Sequence, residues 1–200
     1  MSNFIIKDLK TVHDKMNMVQ SLKDIAVTAK VSKIDAKSTK HELDQKYENL
    51  KCKITPIDPS SQKFKFLSNY LNNSQGDTHC KHKCVDIYEI EREGETKRYN
   101  SKIGNDRLLW HGSGYYNYGG ILSQGLRIAP PEAPVSGYMF GKGVYFADVA
   151  SKSVQYTSYH SSNNFGLMLL CKVAIGKPNR LYGSDSSITL ARLPKGTNAT

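Results

Sequence analysis

The sequence lacks several features that would each define a class of protein. It has 4 cysteines in 200 residues, too few for a scaffold held together by disulfides. Its first residues, MSNFIIKD, lack the basic start and the apolar stretch of a secretory signal. The longest apolar run, LMLLC at residues 167–171, is far shorter than the roughly 20 residues of a membrane span. We therefore expect a soluble, intracellular protein with reduced thiols.

Acidic residues are also scarce in the second half of the chain. The whole chain has 28 basic and 18 acidic residues, a net charge of +10, but residues 108–200 hold only Glu132, Asp148 and Asp185 as carboxylates. A region poor in carboxylates favours an anionic ligand, because few like charges repel it. The basic residues are scattered rather than clustered on one element, which disfavours direct nucleic-acid binding. The 38% of apolar residues allows a modest core and excludes a chain that is disordered throughout.

The first quarter of the chain has helical patterns. Apolar residues recur every three or four positions from Leu9 to Ile25, which predicts a helix of about five turns. Residues 30–40 are polar and aperiodic, as is typical of a linker. Thr39 and Glu42 have the spacing of a capping box, which predicts the start of a second helix.

Beyond residue 56 the helical and strand periods alternate. Helices are predicted around residues 64–71, 117–124 and 148–156, and strands around residues 85–93, 107–110, 143–146 and 167–175. A turn is predicted at residues 93–95, where Gly94 lies between two glutamates. The sequence therefore predicts an α+β fold, with a helical N-terminal piece followed by a mixed, antiparallel-sheet region.

A histidine and cysteine cluster lies at residues 79–84, HCKHKC. These residue types bind zinc, but structural zinc sites usually take their ligands as two separated pairs. All four candidates here fall within six residues. We favour a polar loop leading into a strand over a zinc site, and we expect no metal.

The stretch LLWHGS at residues 108–113 offers a first candidate ligand site. A strand that ends in His111, Gly112 and Ser113 would bring an imidazole, a bare backbone and a hydroxyl to one sheet edge. Glycine permits close approach of a flat ligand to the backbone. Taken alone, this stretch fits a buried, hydrogen-bonded histidine better than a ligand-binding one.

The stretch GYMFGKGVYFAD at residues 137–148 offers a second candidate ligand site. Its glycines suggest a phosphate loop, but their spacing fits neither the P-loop nor the dinucleotide fingerprint. Tyr145 and Tyr156 could form two walls of a slot for a planar ring, or they could be core aromatics. No G-x-S-x-G elbow is present, which argues against serine acyl transfer.

Together these stretches resemble the catalytic domain of the poly(ADP-ribose) polymerases, which are diphtheria-toxin-like ADP-ribosyltransferases, and in particular their DNA-damage-responsive members. The similarity is dense over residues 108–148, with GILSQGLRIAPPEAP at 120–134 and GKGVYFAD at 141–148, and it includes SKS at 151–153 and LPKG at 193–196. The resemblance implies that residues 1–50 are a remnant of the helical regulatory domain. Residues 51–200 would be the transferase domain without its C-terminal strands.

The resemblance implies an enzyme that uses NAD as its substrate, without a metal. Nicotinamide leaves, and ADP-ribose passes to a protein side chain or to a growing polymer. The transition state resembles an oxocarbenium ion, so the site must orient the dinucleotide and stabilise positive charge on the ribose. The family also implies a nuclear location, a role in DNA repair and acceptor proteins that include the chain itself or chromatin proteins. No membrane partner is expected.

The resemblance also assigns individual residues. His111 would bond a ribose hydroxyl, the Gly112 backbone and the Ser153 hydroxyl would hold the carboxamide, and Tyr145 and Tyr156 would sandwich the nicotinamide ring. The implied catalytic residues are His111, Tyr145 and Lys152, with Lys152 beside the acceptor. The implied NAD-binding residues are His111, Gly112, Ser113, Asn117, Gly120, Arg127, Tyr138, Tyr145, Ser153 and Tyr156.

The sequence departs from the family at two points. The family's His-Tyr-Glu set needs a glutamate on a late strand, and no glutamate follows Glu132. Residues 114–116, GYY, replace the more usual polar or basic residues after His-Gly-Ser. Three hypotheses follow: a fragment of an active transferase, with weak or no activity by itself; a catalytically dead, NAD-binding regulatory module; or a fragment that folds poorly. We favour the first, because the donor-site residues are intact in kind and order.

Overall fold

Helices and antiparallel strands follow each other in mixed order in the computed structural model, which describes residues 8–76, 81–128 and 138–200. The elements are α1 (Leu9–Val31), α2 (Glu42–Leu50), β1 (Cys52–Pro56), α3 (Gln62–Asn73), β2 (Tyr88–Arg92), α4 (Glu95–Arg98), β3 (Asp106–Gly112), α5 (Tyr118–Gln124), α6 (Ala150–Val154) and β4 (Met168–Ala174). This mixture confirms the predicted α+β class. The division of the chain at residue 50 stays a prediction.

Helix α1 confirms the first predicted helix and extends it to Val31. The Asp8 carboxylate caps its start by accepting a hydrogen bond from the Thr11 backbone N–H at 2.7 Å. Part of the predicted apolar stripe is exposed, since Val19 and Ile25 are 51% and 62% accessible. The helix therefore does not bury this whole stripe against the rest of the described chain.

Helix α2 is present, but it begins later than the predicted capping box requires. The prediction of a capping box at Thr39 and Glu42 was therefore wrong. His41, not Thr39, is the capping residue, and its Nδ1 accepts a hydrogen bond from the Leu43 N–H at 3.2 Å. Glu42 is the first helical residue. The helix starts after Thr39 because a turn precedes it, in which the Ser38 hydroxyl accepts a hydrogen bond from the Lys40 N–H at 3.2 Å.

Strands β1 and β2 form one antiparallel pair, running from Cys52 opposite Arg92 to Pro56 opposite Tyr88. The sequence analysis missed β1, because its five residues are few and its final proline indicated only a break in the chain. Strand β2 confirms the strand predicted within residues 85–93. Gly94 follows it with φ of 76°, a left-handed conformation that suits the predicted turn.

Strands β3 and β4 form the second antiparallel pair, with Trp110 opposite Leu170 and Gly112 opposite Met168. Ala147 forms an isolated bridge to the other edge of Trp110. The predicted strand at residues 143–146 was wrong, because Tyr145 bonds back to the loop through its hydroxyl and holds this segment as a tight loop. The following helix, α6, is shorter than predicted.

The core lies where α3, β3 and α6 meet. Leu71, Trp110 and Ala150 are its buried residues, and Met168 and Leu170 of β4 pack against them. Burial of large apolar side chains of this kind stabilises the fold by about 1.5–3 kcal/mol each. The end of β3 is thereby anchored in the best-packed part of the molecule. Within the three described ranges, no helix is long and apolar enough to cross a membrane.

Candidate functional site

Gly112, the last residue of β3, lies directly against the backbone of Ser153 in α6. A Cβ atom at position 112 would overlap the Ser153 carbonyl oxygen. Only glycine lets the two elements come this close without one of them moving. The close approach brings the His111–Gly112 backbone and the Ser153 hydroxyl into one small region.

His111 is half-buried, and its ring orientation is fixed. Its Nδ1 lies 2.8 Å from the carbonyl oxygen of Tyr145, and its ring centroid lies 5.8 Å from that of Phe146. Because a carbonyl oxygen only accepts, Nδ1 carries the proton in this bond. The neutral ring then offers Nε2 as an acceptor for a ligand hydroxyl.

Ser153 is buried, with only 4% of its surface accessible. Its hydroxyl donates a hydrogen bond to the Trp110 carbonyl oxygen at 3.0 Å. This bond uses the hydroxyl proton and leaves the oxygen lone pairs, which can accept from an amide NH₂ group. The role of Ser153 in holding a ligand carboxamide, which the family resemblance implies, stays a prediction.

Tyr145 is held by its hydroxyl while its ring stays accessible. The hydroxyl donates to the Gly141 carbonyl and accepts from the Phe140 N–H at 3.0 Å. Tyr145 as a whole residue is 38% exposed, and its ring centroid lies 6.0 Å from that of Tyr138, at an interplanar angle of 35°. These contacts fix the position of the Tyr145 ring.

Tyr156 follows α6 and is 57% exposed. The Lys152 Nζ atom lies 5.6 Å from its ring centroid, in a cation–π contact. Tyr145 and Tyr156 thus contact different neighbours, Tyr138 and Lys152. Their roles as two walls of one slot stay a prediction.

The residues predicted for the adenosine side fall into two groups. Asn117 donates a side-chain hydrogen bond to the Ser113 hydroxyl at 3.0 Å, so these two lie together beside the end of β3. Gly120, in α5, instead faces helix α1, where Val27 is its nearest neighbour. Arg127 is exposed beyond the end of α5.

No metal-binding group of three or more His, Cys, Asp or Glu residues occurs in the described part of the chain. Cys84 packs partly buried against the core, and burial raises the pKa of its thiol. The His82 ring packs edge-on against Tyr159, with centroids 5.7 Å apart. His79 and Cys80 of the predicted cluster lie outside the described residues.

Two shallow grooves elsewhere do not involve the predicted NAD-binding residues. One lies at the end of the β1–β2 pair, where Lys53, Arg92 and Lys97 are mixed with glutamates. The other lies between Phe140 and the segment around Tyr182. Both grooves are open to solvent, unlike the enclosed sites that usually bind drug-sized ligands.

The sequence analysis missed the residues that pack against or hydrogen-bond to the candidate site residues. Trp110, Ser74 and Phe146 bond or contact the residues around His111 and Ser153. A signal was available, because Trp110 is the only tryptophan of the chain and directly precedes His111. A buried indole generally needs a hydrogen-bond acceptor.

Comparison with known proteins shows the family of the chain. The family profile of the poly(ADP-ribose) polymerase catalytic domain matches residues 61–200. The chain belongs to this family. It is 44% identical over 183 residues to poly [ADP-ribose] polymerase 2 of Homo sapiens, which covers 90% of this chain and 31% of the human protein.

Plant relatives match over a similar extent. The chain is 42% identical over 208 residues to poly [ADP-ribose] polymerase 2-B of Oryza sativa, covering 100% of this chain and 33% of the relative. It is also 42% identical over 201 residues to poly [ADP-ribose] polymerase 1 of Arabidopsis thaliana, covering 98% of this chain and 20% of the relative. The chain thus spans about a third or less of the length of these relatives.

Proposed function

We propose that the chain carries the NAD-binding site of an ADP-ribosyltransferase, which transfers ADP-ribose from NAD to a protein side chain or polymer and releases nicotinamide. The observation that carries this proposal is the contact of Gly112 with Ser153 at the end of β3. It is supported by the match of the poly(ADP-ribose) polymerase catalytic domain to residues 61–200.

The nicotinamide end of NAD would bind between β3 and α6. The Gly112 backbone and the Ser153 hydroxyl would hold the carboxamide, and the rings of Tyr145 and Tyr156 would lie on the two faces of the nicotinamide. His111 would accept a hydrogen bond from a ribose hydroxyl through Nε2. Ser113 and Asn117, which bond each other at 3.0 Å, would continue the site toward the adenosine and diphosphate, with Arg127. Tyr138 would contact NAD beside Tyr145, whereas Gly120 faces α1 and would not reach the ligand.

The chemical step breaks the bond between the ribose C1′ and the nicotinamide nitrogen and forms a bond from C1′ to an acceptor nucleophile. The nicotinamide takes the electron pair of the broken bond, and the acceptor loses a proton. Holding the dinucleotide rigidly brings C1′ and the acceptor together and lowers the entropic part of the barrier. Lys152, exposed on α6 next to Tyr156, would lie beside the acceptor.

These 200 residues would transfer ADP-ribose weakly or not at all. The family's glutamate, which would stabilise the developing charge on the ribose, has no counterpart after Glu132. A second candidate function, an NAD-binding regulatory module without catalysis, is favoured by the same observation. The two differ in whether a longer polypeptide supplies that carboxylate.

The wider setting follows from the family. We propose a helical regulatory remnant at residues 1–50 and a transferase region at residues 51–200. Acceptor proteins, including the chain itself or chromatin proteins, a role in DNA repair and a nuclear location would follow from the DNA-damage-responsive members that the sequence resembles.

Two measurements on the purified chain test this function. Calorimetric titration with NAD, and with benzamide as a mimic of the nicotinamide ring, is expected to show binding to one site. Incubation with NAD labelled in the adenine is expected to leave little label on the protein. If neither NAD nor benzamide binds, the proposed function is contradicted. Sustained labelling of the protein would contradict the predicted lack of transfer.

A further inference from the structure

Ser74, the residue that ends α3, joins three elements around the site. Its hydroxyl accepts a hydrogen bond from the Trp110 indole Nε1 at 2.9 Å and donates one to the Leu71 carbonyl at 3.2 Å. Its own carbonyl oxygen accepts a hydrogen bond from the Ala150 backbone N–H at 2.6 Å. One residue of α3 therefore holds both β3, through Trp110, and the start of α6, through Ala150.

Trp110 is held from its other side by the site itself. Its carbonyl oxygen accepts hydrogen bonds from the Ser153 hydroxyl at 3.0 Å and from the Ala147 N–H at 2.9 Å. Trp110 is 6% exposed and directly precedes His111 and Gly112. Trp110 is thus hydrogen-bonded to Ser74 through its indole and to Ser153 through its backbone carbonyl, and it links the two residues.

The separation of β3 and α6 is critical at this point. The backbones of Gly112 and Ser153 already approach too closely to admit a Cβ atom. A small shift of either element would change the distance between the Gly112 backbone and the Ser153 hydroxyl. Because hydrogen bonds weaken steeply outside a narrow range of distance and angle, such a shift would weaken the grip on a carboxamide.

We propose that Ser74 is a positioning residue for the nicotinamide pocket, which sets the spacing of β3 and α6 without touching the ligand. This inference rests on the proposed function. The role needs a side-chain oxygen that accepts from the indole while donating to the helix carbonyl. Threonine can do both, whereas alanine leaves a buried indole N–H without a partner.

The test compares three variants of the full chain by benzamide titration, each at a temperature where thermal melting shows the protein to be folded. Ser74→Ala is expected to weaken benzamide binding about 5- to 30-fold, because the shifted elements would distort the hydrogen bonds to the carboxamide. Ser74→Thr is expected to bind within about twofold of the unsubstituted chain, since it keeps both hydrogen bonds.

Tyr70→Phe is the matched control. Tyr70 also lies on α3 and donates a hydrogen bond to β3, at the Leu108 carbonyl, 2.8 Å away. The variant loses a bond between the same two elements but none to Trp110 or α6. It is expected to melt at a lower temperature and to bind benzamide as the unsubstituted chain does.

The single tryptophan gives a second readout that does not depend on the ligand. The spectrum of the ¹⁵N-labelled chain has one indole N–H resonance, and its exchange with solvent is expected to accelerate in Ser74→Ala and not in Ser74→Thr. If Ser74→Ala only melts earlier and binds benzamide with unchanged affinity, the positioning role is wrong and the proposed function stands. If the unsubstituted chain binds no benzamide, the proposed function and the positioning role are both overturned.

Discussion

The Gly112 Cα and the Ser153 carbonyl oxygen lie so close that no side chain can be placed between β3 and α6 at this point. Gly112 comes from a strand paired with β4, and Ser153 comes from the buried side of a short helix. The contact therefore joins two elements that are distant in the sequence. It also brings together a bare backbone and a hydroxyl, the two groups that a carboxamide ligand needs.

The first prediction concerns this contact. Gly112→Ala is expected to abolish benzamide binding and to lower the free energy of unfolding by about 1–3 kcal/mol, because the added methyl forces β3 and α6 apart. Gly183→Ala is the matched control, since a Cβ there meets no atom within 4 Å and the residue has no positive φ. Titration and urea unfolding of both variants check this. Equal binding by the two variants would contradict it.

The second prediction concerns the exposed ring of Tyr156. Tyr156→Ala is expected to weaken benzamide binding about 2- to 12-fold, which corresponds to the roughly 0.5–1.5 kcal/mol of an aromatic stacking contact. Tyr156→Phe keeps the ring face and is expected to bind nearly normally. A loss of affinity in the phenylalanine variant equal to that in the alanine variant would show that the hydroxyl, rather than stacking, matters.

The third prediction concerns Asp106 at the start of β3. A hydrogen bond from the Tyr99 hydroxyl and the Lys172 ammonium, 2.9 Å away, hold the pKa of this carboxyl below its ordinary value. A lowered folded-state pKa stabilises the fold above the ordinary value of about 3.9, and this contribution is lost as the pH falls through the folded-state pKa.

Asp106→Asn is therefore expected to be less stable than the unsubstituted chain at pH 7, and the difference is expected to shrink as the pH falls below about 4. Urea unfolding of both proteins at several pH values measures this difference in the free energy of unfolding. A difference in stability that does not change with pH would show that the charge of Asp106 plays no part.

The fourth prediction concerns Cys171 in β4. Burial, together with the negative charge of Glu95, raises the pKa of its thiol to about 11. Since only the thiolate reacts with alkylating agents, iodoacetamide at pH 8 is expected to modify Cys171 at least about 100-fold more slowly in the folded chain than in urea. Peptide mapping by mass spectrometry measures both rates. Similar rates in the two states would contradict the burial of this thiol.

Local patterns predicted much of the fold. The periodic apolar residues of α1 and α3 and the apolar residues of β3 and β4 identified these elements. β1 and the loop at residues 143–146 could not be predicted in this way. The pairing of β1 with β2 depends on a strand distant in sequence, and the loop depends on the hydrogen bonds of the Tyr145 hydroxyl.

The candidate site was predictable only in part. Single positions such as His111 and Ser153 could be identified through the family resemblance. The spacing of Gly112 and Ser153 could not be derived from the sequence, since 41 positions in the chain separate them. The supporting role of Ser74 depends on a hydrogen bond between residues 36 positions apart, which no local pattern shows.

The most direct test of the account is calorimetric titration of the unsubstituted chain and of Gly112→Ala with NAD, at a temperature where both are folded. The account predicts saturable, one-site binding by the unsubstituted chain and none by the variant. Absence of binding by the unsubstituted chain, or equal binding by both, would contradict an NAD site built on the contact between Gly112 and Ser153.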